Sequence, residues 1–523
     1  MKNLLSLLFF IPACLGCVMA QDPVQQQYAA EITPETAKAH LTILASDEFA
    51  GRGTGEPGGQ KAAAYIAGEF TKLGLTAPVN GSYYQPVKLT RRVSKAALQI
   101  NGRKFENGKD FYMVAPGPEK KVNDKKIVFI GYGISDSKYD DLNGLDIEGK
   151  VVMVINEGEP VDAAGNSLIT GTDSLSEWAT SRTKRLQHII AKQPKLILAV
   201  SNGVKETLSR MGGQLAAPRI TLEEEQVPAT DPQIAVLNID PETANVFLQK
   251  SHTNLDALIA AITRRKKSQS ATFGVTDFSV TYGSVNESFT ASNVLGYMEG
   301  TDLKDELVII SAHYDHEGVQ NGVIYYGADD NASGTTGVLE IARAFALAKA
   351  EGHGPRRSIL FMTFTGEEKG LLGSSYYSQH PVFPLKQTVV DINTDMIGRV
   401  DDKHLNGNHN YVHVIGADKL SSELHAINEK ANATYTGMEL DYMYNDPQDP
   451  MRIYYRSDHY NFAKYGIPVI FYFNGLHPDY HMPSDTADKI NFDLLTKRAK
   501  LAFHTAWEVA NRDHRLVVDS HKE

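Results

Sequence analysis

The sequence predicts an α/β fold in which a mixed, mostly parallel sheet is sandwiched by helices, with an inserted α+β or β-rich domain. Two observations support this prediction. From Ser292 onward, short apolar runs suited to buried strands alternate with helical segments. Before that point, residues 123–270 mix short strand and helix patterns and carry no cluster of His, Asp and Glu. Because 523 residues exceed what one hydrophobic core usually supports, this stretch is interpreted as a separate domain.

The composition excludes several classes of protein. Hydrophobic residues make up 42% of the chain and charged residues 22%, which is typical of a globular protein and not of collagen, a coiled coil or a disordered chain. The 63 acidic residues outnumber the 52 lysines and arginines, so the net charge is −11. A chain this acidic is not expected to bind nucleic acid.

Residues 1–20 have the pattern of a secretory signal peptide. Lys2 precedes an apolar run, and Val18 and Ala20 stand at positions −3 and −1 before the expected cleavage point. No later segment reaches the roughly 18 apolar residues of a transmembrane helix. We therefore expect an exported protein without a transmembrane segment, located in the periplasm or outside the cell.

Both cysteines, Cys14 and Cys17, lie inside this N-terminal segment. Cleavage after Ala20 would leave a chain that can form no disulfide bond. The stretch Leu15-Gly16-Cys17 also loosely fits a lipoprotein processing site. The alternative to a freely exported protein is therefore a lipid anchor at Cys17, in a lipoprotein of the periplasm or the outer surface.

The N-terminal part of the chain, from residue 33 to 116, contains predicted helices followed by predicted strands. Residues 33–44 and 60–73 have helical periodicity, and a glycine-rich stretch lies between them. This stretch contains the spacing G-x-G-x-x-G, but a dinucleotide site needs a preceding strand, and here the preceding pattern is helical. The stretch is interpreted as the entry to the second helix. Residues 83–116 predict strands joined by turns such as Asn101-Gly102.

The C-terminal half contains the predicted sheet. An amphipathic helix at 335–350 follows the first strand of this sheet, 307–312, and a long helix at 494–511 closes the domain. The predicted strands are 307–312, 358–364, 388–392 and 469–473. Polar groups lie just after these strands, at 313–316, 327–334, 366–368, 393–396 and 480–481. Because open α/β sheets bind ligands outside the carboxyl ends of their strands, we expect these groups to form one site.

The residue types in these groups predict a metal centre. Two histidines and three carboxylates, all nitrogen and oxygen donors, suit zinc or another first-row divalent ion. If one Asp bridges two ions, each ion is bound by that Asp, one His and one further carboxylate. The charges of two ions, three carboxylates and one hydroxide then cancel, which permits burial. Two ions about 3.5–4 Å apart would activate the shared water together.

The consecutive Glu367 and Glu368 suggest two roles. Neighbouring side chains in an extended segment point in opposite directions, so one glutamate can bind metal while the other faces the water as general base. The nearby His316, His459 and His477 are not needed for this set and are interpreted as structural residues.

These groups resemble those of the co-catalytic zinc aminopeptidase family, which includes secreted bacterial aminopeptidases and the glutamate carboxypeptidases. The resemblance covers residues from about 30 to 515. It implies a zinc exopeptidase-like fold with two zinc ions per chain, cobalt or manganese being alternatives. Members of the family have a cis peptide bond after the bridging Asp, which is therefore expected between Asp329 and Asp330. The implied ligands are His313 and Asp395 for one ion, Glu368 and His481 for the other, and Asp329 as the bridge.

The same resemblance implies roles for four other residues. Glu367 matches the general base, and Asp315 matches a carboxylate that orients the imidazole of His313. Tyr480 matches a tyrosine that hydrogen-bonds the tetrahedral intermediate. Arg456 resembles an arginine that contacts the substrate.

The insert resembles a protease-associated domain. The resemblance therefore implies four segments: a signal peptide at 1–20, the N-terminal part of the peptidase domain at 21–122, the insert at 123–270, and the C-terminal part with the metal site at 271–523.

The predicted function is that of an exported dizinc exopeptidase, an aminopeptidase that removes N-terminal residues from peptides by attack of a metal-bridging hydroxide. A carboxypeptidase or dipeptidase of the same family is the first alternative. A glutaminyl cyclase-like enzyme with one zinc is disfavoured by the complete ligand set. An inactive receptor-like member is disfavoured because neither a ligand nor the base is missing. A serine hydrolase is disfavoured because no G-x-S-x-G occurs.

Overall fold

The computed structural model describes residues 21–113, 117–223, 234–275 and 277–521, which form two compact units. One unit contains the chain up to Lys88 together with the chain from Thr290 onward, and the other is Leu89–Phe289. The predicted signal peptide, with Cys14 and Cys17, lies outside the described residues, so export and the lipid anchor stay predictions. Among the described helices, none has the length and apolar character needed to cross a membrane.

The elements are numbered in chain order. The strands are β1 Tyr84–Ile100, β2 Arg103–Glu106, β3 Lys120–Val122, β4 Lys126–Phe129, β5 Val151–Ile155, β6 Leu196–Val200, β7 Arg219–Leu222, β8 Val236–Ile239, β9 Ala271–Gly274, β10 Phe278–Met298, β11 Leu303–His313, β12 Gly318–Gln320, β13 Val323–Tyr325, β14 Arg357–Phe364, β15 Thr388–Thr394, β16 Tyr411–Ile415, β17 Glu439–Asp441 and β18 Val469–Phe473. The α-helices are α1 Pro23–Ala29, α2 Pro34–Leu44, α3 Pro57–Lys72, α4 Glu177–Thr180, α5 Arg182–Ile190, α6 Val204–Ala216, α7 Pro241–Leu248, α8 Leu255–Arg265, α9 Gly334–Ala350, α10 Leu372–Gln379, α11 Ser422–Ala431, α12 Tyr460–Ala463 and α13 Phe492–Asn511.

The first unit is built on a mixed sheet with the strand order β17-β16-β18-β15-β11-β14-β10. The central strands β18, β15, β11 and β14 are parallel to one another, whereas β16 and β10 pair antiparallel with the strands beside them. Every residue of β14, β15 and β18 is buried, as expected for parallel strands covered on both faces. Helices α9 and α13 pack against these strands. The predicted α/β class and its four central strands are confirmed.

The outer strands β16 and β17 are not predicted from the sequence. In β16 the polar His413 interrupts the apolar run, and β17 has only three residues. The two strands are parallel, and His413 lies opposite Asp441 in their register. Pairing with β18 completes the edge of the sheet here, which local sequence patterns do not reveal.

The glycine-rich stretch leads into α3, as expected from its interpretation as the entry to the second helix. Gly51 has a φ of 68°, and a Cβ atom there would lie 2.2 Å from the carbonyl oxygen of Tyr325, so only glycine fits. The next residue, Arg52, is fully buried. Its guanidinium donates hydrogen bonds to the carbonyl oxygens of Leu44, Tyr314, Tyr326 and Gly327. The stretch therefore anchors the backbone beside two of the predicted polar groups.

The second unit contains a five-stranded sheet with the order β8-β6-β5-β4-β9. Strands β8, β6, β5 and β4 are parallel, and β9 is antiparallel to β4. Strands β1 and β2 form a hairpin at the predicted Asn101-Gly102 turn, where both residues have positive φ. This unit, Leu89–Phe289, is longer than the predicted insert 123–270. Its assignment as a protease-associated domain stays a prediction.

Candidate metal centre

The ends of the parallel strands carry most of the predicted site residues. His313 is the last residue of β11, Asp395 follows β15 directly, and Glu367 and Glu368 come shortly after β14. His481 lies on the loop after β18. Because the carboxyl ends of parallel strands meet at one edge of the sheet, these side chains converge there.

The first group of donors surrounds His313. Its Nε2 atom lies 3.3 Å from Oδ1 of Asp395 and 3.4 Å from Oδ1 of Asp330. Within the described residues, the buried Nε2 of His313 and Oδ1 of Asp395 have no hydrogen-bond partner. A tetrahedral ion with bonds of about 2.0–2.1 Å would separate its ligands by roughly 3.3–3.4 Å. The donors therefore fit one divalent ion.

The second group of donors surrounds His481. Its Nε2 atom lies 3.0 Å from Oδ2 of Asp330 and 3.0 Å from Oε2 of Glu368. Burial alone would lower the pKa of His481, but these two carboxylates raise it to about 11. The surroundings of this imidazole thus favour a positive charge, and the donor types suit a second divalent ion.

The residue shared by the two groups is Asp330, and the prediction that Asp329 is the bridge is wrong. Oδ1 of Asp329 accepts a hydrogen bond of 2.7 Å from the backbone N–H of Gly398. Its Oδ2 lies 3.0 Å from Nε2 of His477. Both oxygens of Asp329 are therefore committed elsewhere. The two consecutive carboxylates face different surroundings, which the dipeptide Asp-Asp does not reveal.

The turn that carries these two residues is held by Asp485, for which the sequence carries no signal. Both oxygens of the buried Asp485 accept hydrogen bonds from the backbone N–H of Asp329, and Oδ2 also accepts one from that of Asp330, at 2.9–3.1 Å. The cis peptide bond lies between Asp330 and Asn331, one residue later than expected. Like the bridge itself, the cis bond is displaced by one position from the prediction.

Glu367 lies beside the donors of the first group. Its Oε2 atom is 3.8 Å from Nε2 of His313, and burial raises the pKa of Glu367 well above its ordinary value. The predicted extended geometry at Glu367 and Glu368 is wrong, because Glu367–Lys369 is a 3-10 turn. The two side chains nevertheless lie near different histidines, His313 and His481 respectively.

The imidazole of His313 lies close to both the backbone and the side chain of Asp315. Nδ1 of His313 lies 3.1 Å from the carbonyl oxygen of Asp315 and 3.9 Å from its carboxylate. The hydrogen bond that orients the imidazole therefore goes to the main chain and not to the predicted carboxylate. The carboxylate accepts hydrogen bonds from the hydroxyl of Thr54 at 2.5 Å and the backbone N–H of Glu367 at 3.2 Å. Asp315 thus links His313 to the segment of Glu367.

Two further side chains hold the carboxylates of the site. Nδ1 of His316, interpreted above as structural, lies 2.6 Å from Oε1 of Glu368. The hydroxyl of Ser457 donates a hydrogen bond of 2.8 Å to Oδ2 of Asp395. Each contact occupies one carboxylate oxygen and leaves the other facing the histidine of its group. The sequence carries no signal for these contacts, because each joins segments that are distant along the chain.

Replacing His316 with glutamine is expected to weaken metal binding by roughly 10–100-fold, because Glu368 loses the group that orients it. Zinc release is measured by titration with a chelator. His353→Gln, at an exposed position after α9, is the matched control. Equal zinc affinity in the His316 variant and the wild type would show that this hydrogen bond does not support the site.

Tyr480 and Arg456 lie together at the entrance of the site. The guanidinium of Arg456 donates a hydrogen bond of 3.1 Å to the hydroxyl of Tyr480. Burial and the nearby carboxylates of Asp330 and Glu368 raise the pKa of Tyr480, so its hydroxyl keeps its proton and can donate it in a hydrogen bond.

A pocket opens beside the donors and has two kinds of wall. Glu367, Asp395, Arg456 and Tyr480 line one part of it. Its apolar part is lined by Met396, Ile453, Phe471, Phe473 and Leu476. The pocket therefore presents apolar side chains next to charged groups, which is the arrangement common to small-ligand sites.

A protein-family model matches the part of the chain that carries these donors. Residues 293–506 match the model of Peptidase family M28. This range includes the donors of both groups and Glu367, Tyr480 and Arg456.

The matches to curated relatives cover less than half of the chain. A probable leucine aminopeptidase of Arthroderma otae is 32% identical over 213 residues, which are 39% of this chain and 55% of the relative. Aminopeptidase YwaD of Bacillus subtilis is 28% identical over 247 residues, 43% of this chain and 46% of the relative. The chain thus spans about half the length of the curated relatives it matches.

Solved structures match nearly the whole chain. An aminopeptidase from Aneurinibacillus sp. strain AM-1 superposes with a TM-score of 0.54 at 19% identity, covering 95% of this chain and 98% of its own. BSAP, a zinc aminopeptidase from Bacillus subtilis, superposes with a TM-score of 0.52 at 20% identity, covering 94% and 98%. At these identities the likeness shows a shared fold.

Proposed function

We propose that this protein is a metal-dependent aminopeptidase acting on peptides, because residues 293–506 match the model of Peptidase family M28. The observation that carries the proposal is the pair of His–carboxylate groups that share Asp330, with Glu367 beside them. The names of the curated relatives support the aminopeptidase direction.

The donors described above would hold two ions, with Asp330 contributing one oxygen to each. His313 and Asp395 complete the first set, and Glu368 and His481 the second. Zinc suits these nitrogen and oxygen donors, and cobalt or manganese tolerates the same set. When bound, such ions polarise a substrate carbonyl and lower the pKa of water.

The side chains of this site supply proton transfer and orientation. Glu367 takes a proton from the attacking water and passes it to the nitrogen of the leaving amine. Tyr480 donates a hydrogen bond to the oxygen of the substrate carbonyl as negative charge develops on it. Arg456 keeps the Tyr480 hydroxyl in place through the hydrogen bond of 3.1 Å.

The pocket suggests which substrates are preferred. The carboxylates of Glu367 and Asp395 suit the ammonium group of a peptide N-terminus, and the apolar wall suits the first side chain. We therefore propose that peptides with an apolar N-terminal residue are the preferred class. Acetylation of the N-terminus removes the positive charge and is expected to prevent productive binding.

A panel of peptides tests this proposal. Peptides beginning with Leu, Ala, Glu or Lys are assayed with a free or an acetylated N-terminus, before and after chelation and after zinc is restored. We expect cleavage of free Leu peptides, no removal of acetylated residues, and a preference for Leu over Ala of roughly 10–200-fold in kcat/KM. Chelation should abolish activity and zinc should restore it.

A carboxypeptidase is the second candidate because the exposed guanidinium of Arg456 lines the same pocket and could hold a C-terminal carboxylate. Cleavage of acetylated peptides from the C-terminus would establish this candidate and overturn the aminopeptidase proposal. If neither set is cleaved by the zinc-loaded protein, the peptidase proposal itself is wrong.

A further inference from the structure

A second cluster of histidines and carboxylates lies apart from the centre described above. Asp401 and His404 belong to the loop after β15, and His413 and Asp441 lie opposite each other on the parallel strands β16 and β17. These are the two outermost strands on this side of the sheet. None of the four residues contributes to the donor groups around Asp330.

Asp401 holds both imidazoles from one side. Its Oδ1 lies 2.7 Å from Nδ1 of His404, and its Oδ2 lies 2.8 Å from Nε2 of His413. These are hydrogen-bond distances and leave no room for an ion between the atoms. Because the carboxylate accepts a hydrogen bond from one N–H of each ring, the lone pairs of the neutral imidazoles lie on Nε2 of His404 and Nδ1 of His413.

Asp441 faces those two nitrogens from the other side. Its Oδ1 accepts a hydrogen bond of 2.8 Å from the backbone N–H of Met443, which fixes the carboxylate. Its Oδ2 lies 3.5 Å from Nδ1 of His413 and 3.7 Å from Nε2 of His404. In the part of the chain that the structure describes, the buried Nδ1 of His413 has no hydrogen-bond partner. Ligands of a tetrahedral ion with bonds of about 2.0–2.2 Å lie roughly 3.3–3.6 Å apart.

Charge and packing also suit an ion. Two neutral imidazoles and two carboxylates carry a charge of −2, which one divalent ion cancels. The ring of His404 stacks on Tyr411 with centroids 3.5 Å apart, and that of His413 packs against Tyr444 at 4.7 Å, so both rings are held in place. The side chains of His404 and Asp441 are 11% and 22% exposed, so an ion can enter from solvent.

We propose that His404, His413 and Asp441 bind one first-row divalent ion such as zinc, with Asp401 orienting both imidazoles and water completing the coordination. Three protein ligands of these types form a normal zinc site, and a carboxylate hydrogen-bonded to the far side of each imidazole is its usual support. The site is independent of the proposed peptidase activity.

A proton is the competing occupant of the same position. Burial alone would lower the pKa of His413, but the carboxylates of Asp401 and Asp441 raise it above the ordinary value of histidine. A protonated His413 paired with Asp441 would make the cluster a structural ion pair. Metal content distinguishes the two occupants.

The experiment measures zinc per chain in the full-length protein after equilibration with micromolar zinc and removal of free metal. Asp441→Asn keeps an oxygen for the Met443 contact and replaces the facing oxygen with a group that does not bind metal. We expect this variant to hold about one zinc fewer than the wild type. His409→Gln, an exposed histidine of the same loop, should lose none. Asp330→Asn, which impairs the other centre, should keep this zinc.

Equal zinc content in the wild type and Asp441→Asn would overturn the proposal and leave the cluster with the role of a structural ion pair. If Asp441→Asn does not fold, His404→Gln is measured in the same way against the same control. The measured quantity is the difference in zinc content between the wild type and the variant, so the test is valid whether or not the protein cleaves peptides. Loss of activity with unchanged zinc in Asp441→Asn would count against this site and not against the proposed function.

Discussion

Glu367→Gln is expected to lower turnover by roughly 10²–10⁴-fold while the zinc content stays that of the wild type, the usual loss for a general base. The Oε2 atom of Glu367 is 3.8 Å from Nε2 of His313, beside the first donor group and outside the shared set around Asp330. Glutamine has the same shape but cannot take a proton from water. Turnover of a free Leu peptide and metal content are measured on one preparation.

The matched control for this variant is Glu299→Gln, which removes an exposed glutamate at the end of β10 and should change neither quantity. Near-normal turnover of Glu367→Gln would show that the proton is taken by another group. Loss of zinc together with turnover would instead place Glu367 among the ligands.

Asp330→Asn is expected to lose nearly all activity and to hold at most about one zinc ion at the catalytic centre. The reason is that the carboxylate of Asp330 faces both His313 and His481. Asp329→Asn is its natural control, since the two residues are adjacent and both are buried. The control should keep its zinc, because its oxygens contact Gly398 and His477 instead. Zinc content and turnover are measured for both variants.

Asp329→Asn also weakens a buried contact to His477, which costs about 1–3 kcal/mol of stability. Thermal unfolding of both variants therefore accompanies the measurement, so that a loss of metal is not confused with a loss of structure. The reverse result, with zinc lost in Asp329→Asn and kept in Asp330→Asn, would restore the bridge predicted from the sequence and contradict the geometry described above.

Several side chains of the site could be found without the structure because they follow strands that the sequence shows clearly. The strands β11, β14, β15 and β18 each contain a run that is mostly apolar, and parallel strands of this kind present their carboxyl ends at one edge. His313, Glu368 and Asp395 are close to those ends, so their convergence follows from the strand pattern. His481 lies on the loop after β18 and not at the strand end, and there the family resemblance supplied the choice.

Other features could not be found in this way because they depend on contacts between distant segments. His316 and Ser457 approach the carboxylates only in the folded chain. The cluster of Asp401, His404, His413 and Asp441 requires the pairing of β16 with β17, whose sequences carry weak strand signals.

The sequence by itself determined the α/β class, the four central strands and the residue types available for metal binding, since burial of apolar runs is a local and strong signal. Only the tertiary structure decided that Asp330 and not Asp329 faces both histidines. The reason is physical: the backbone of the turn Ala328–Ser333 orients adjacent carboxylates differently, and that turn is held by Asp485, which lies far away along the chain.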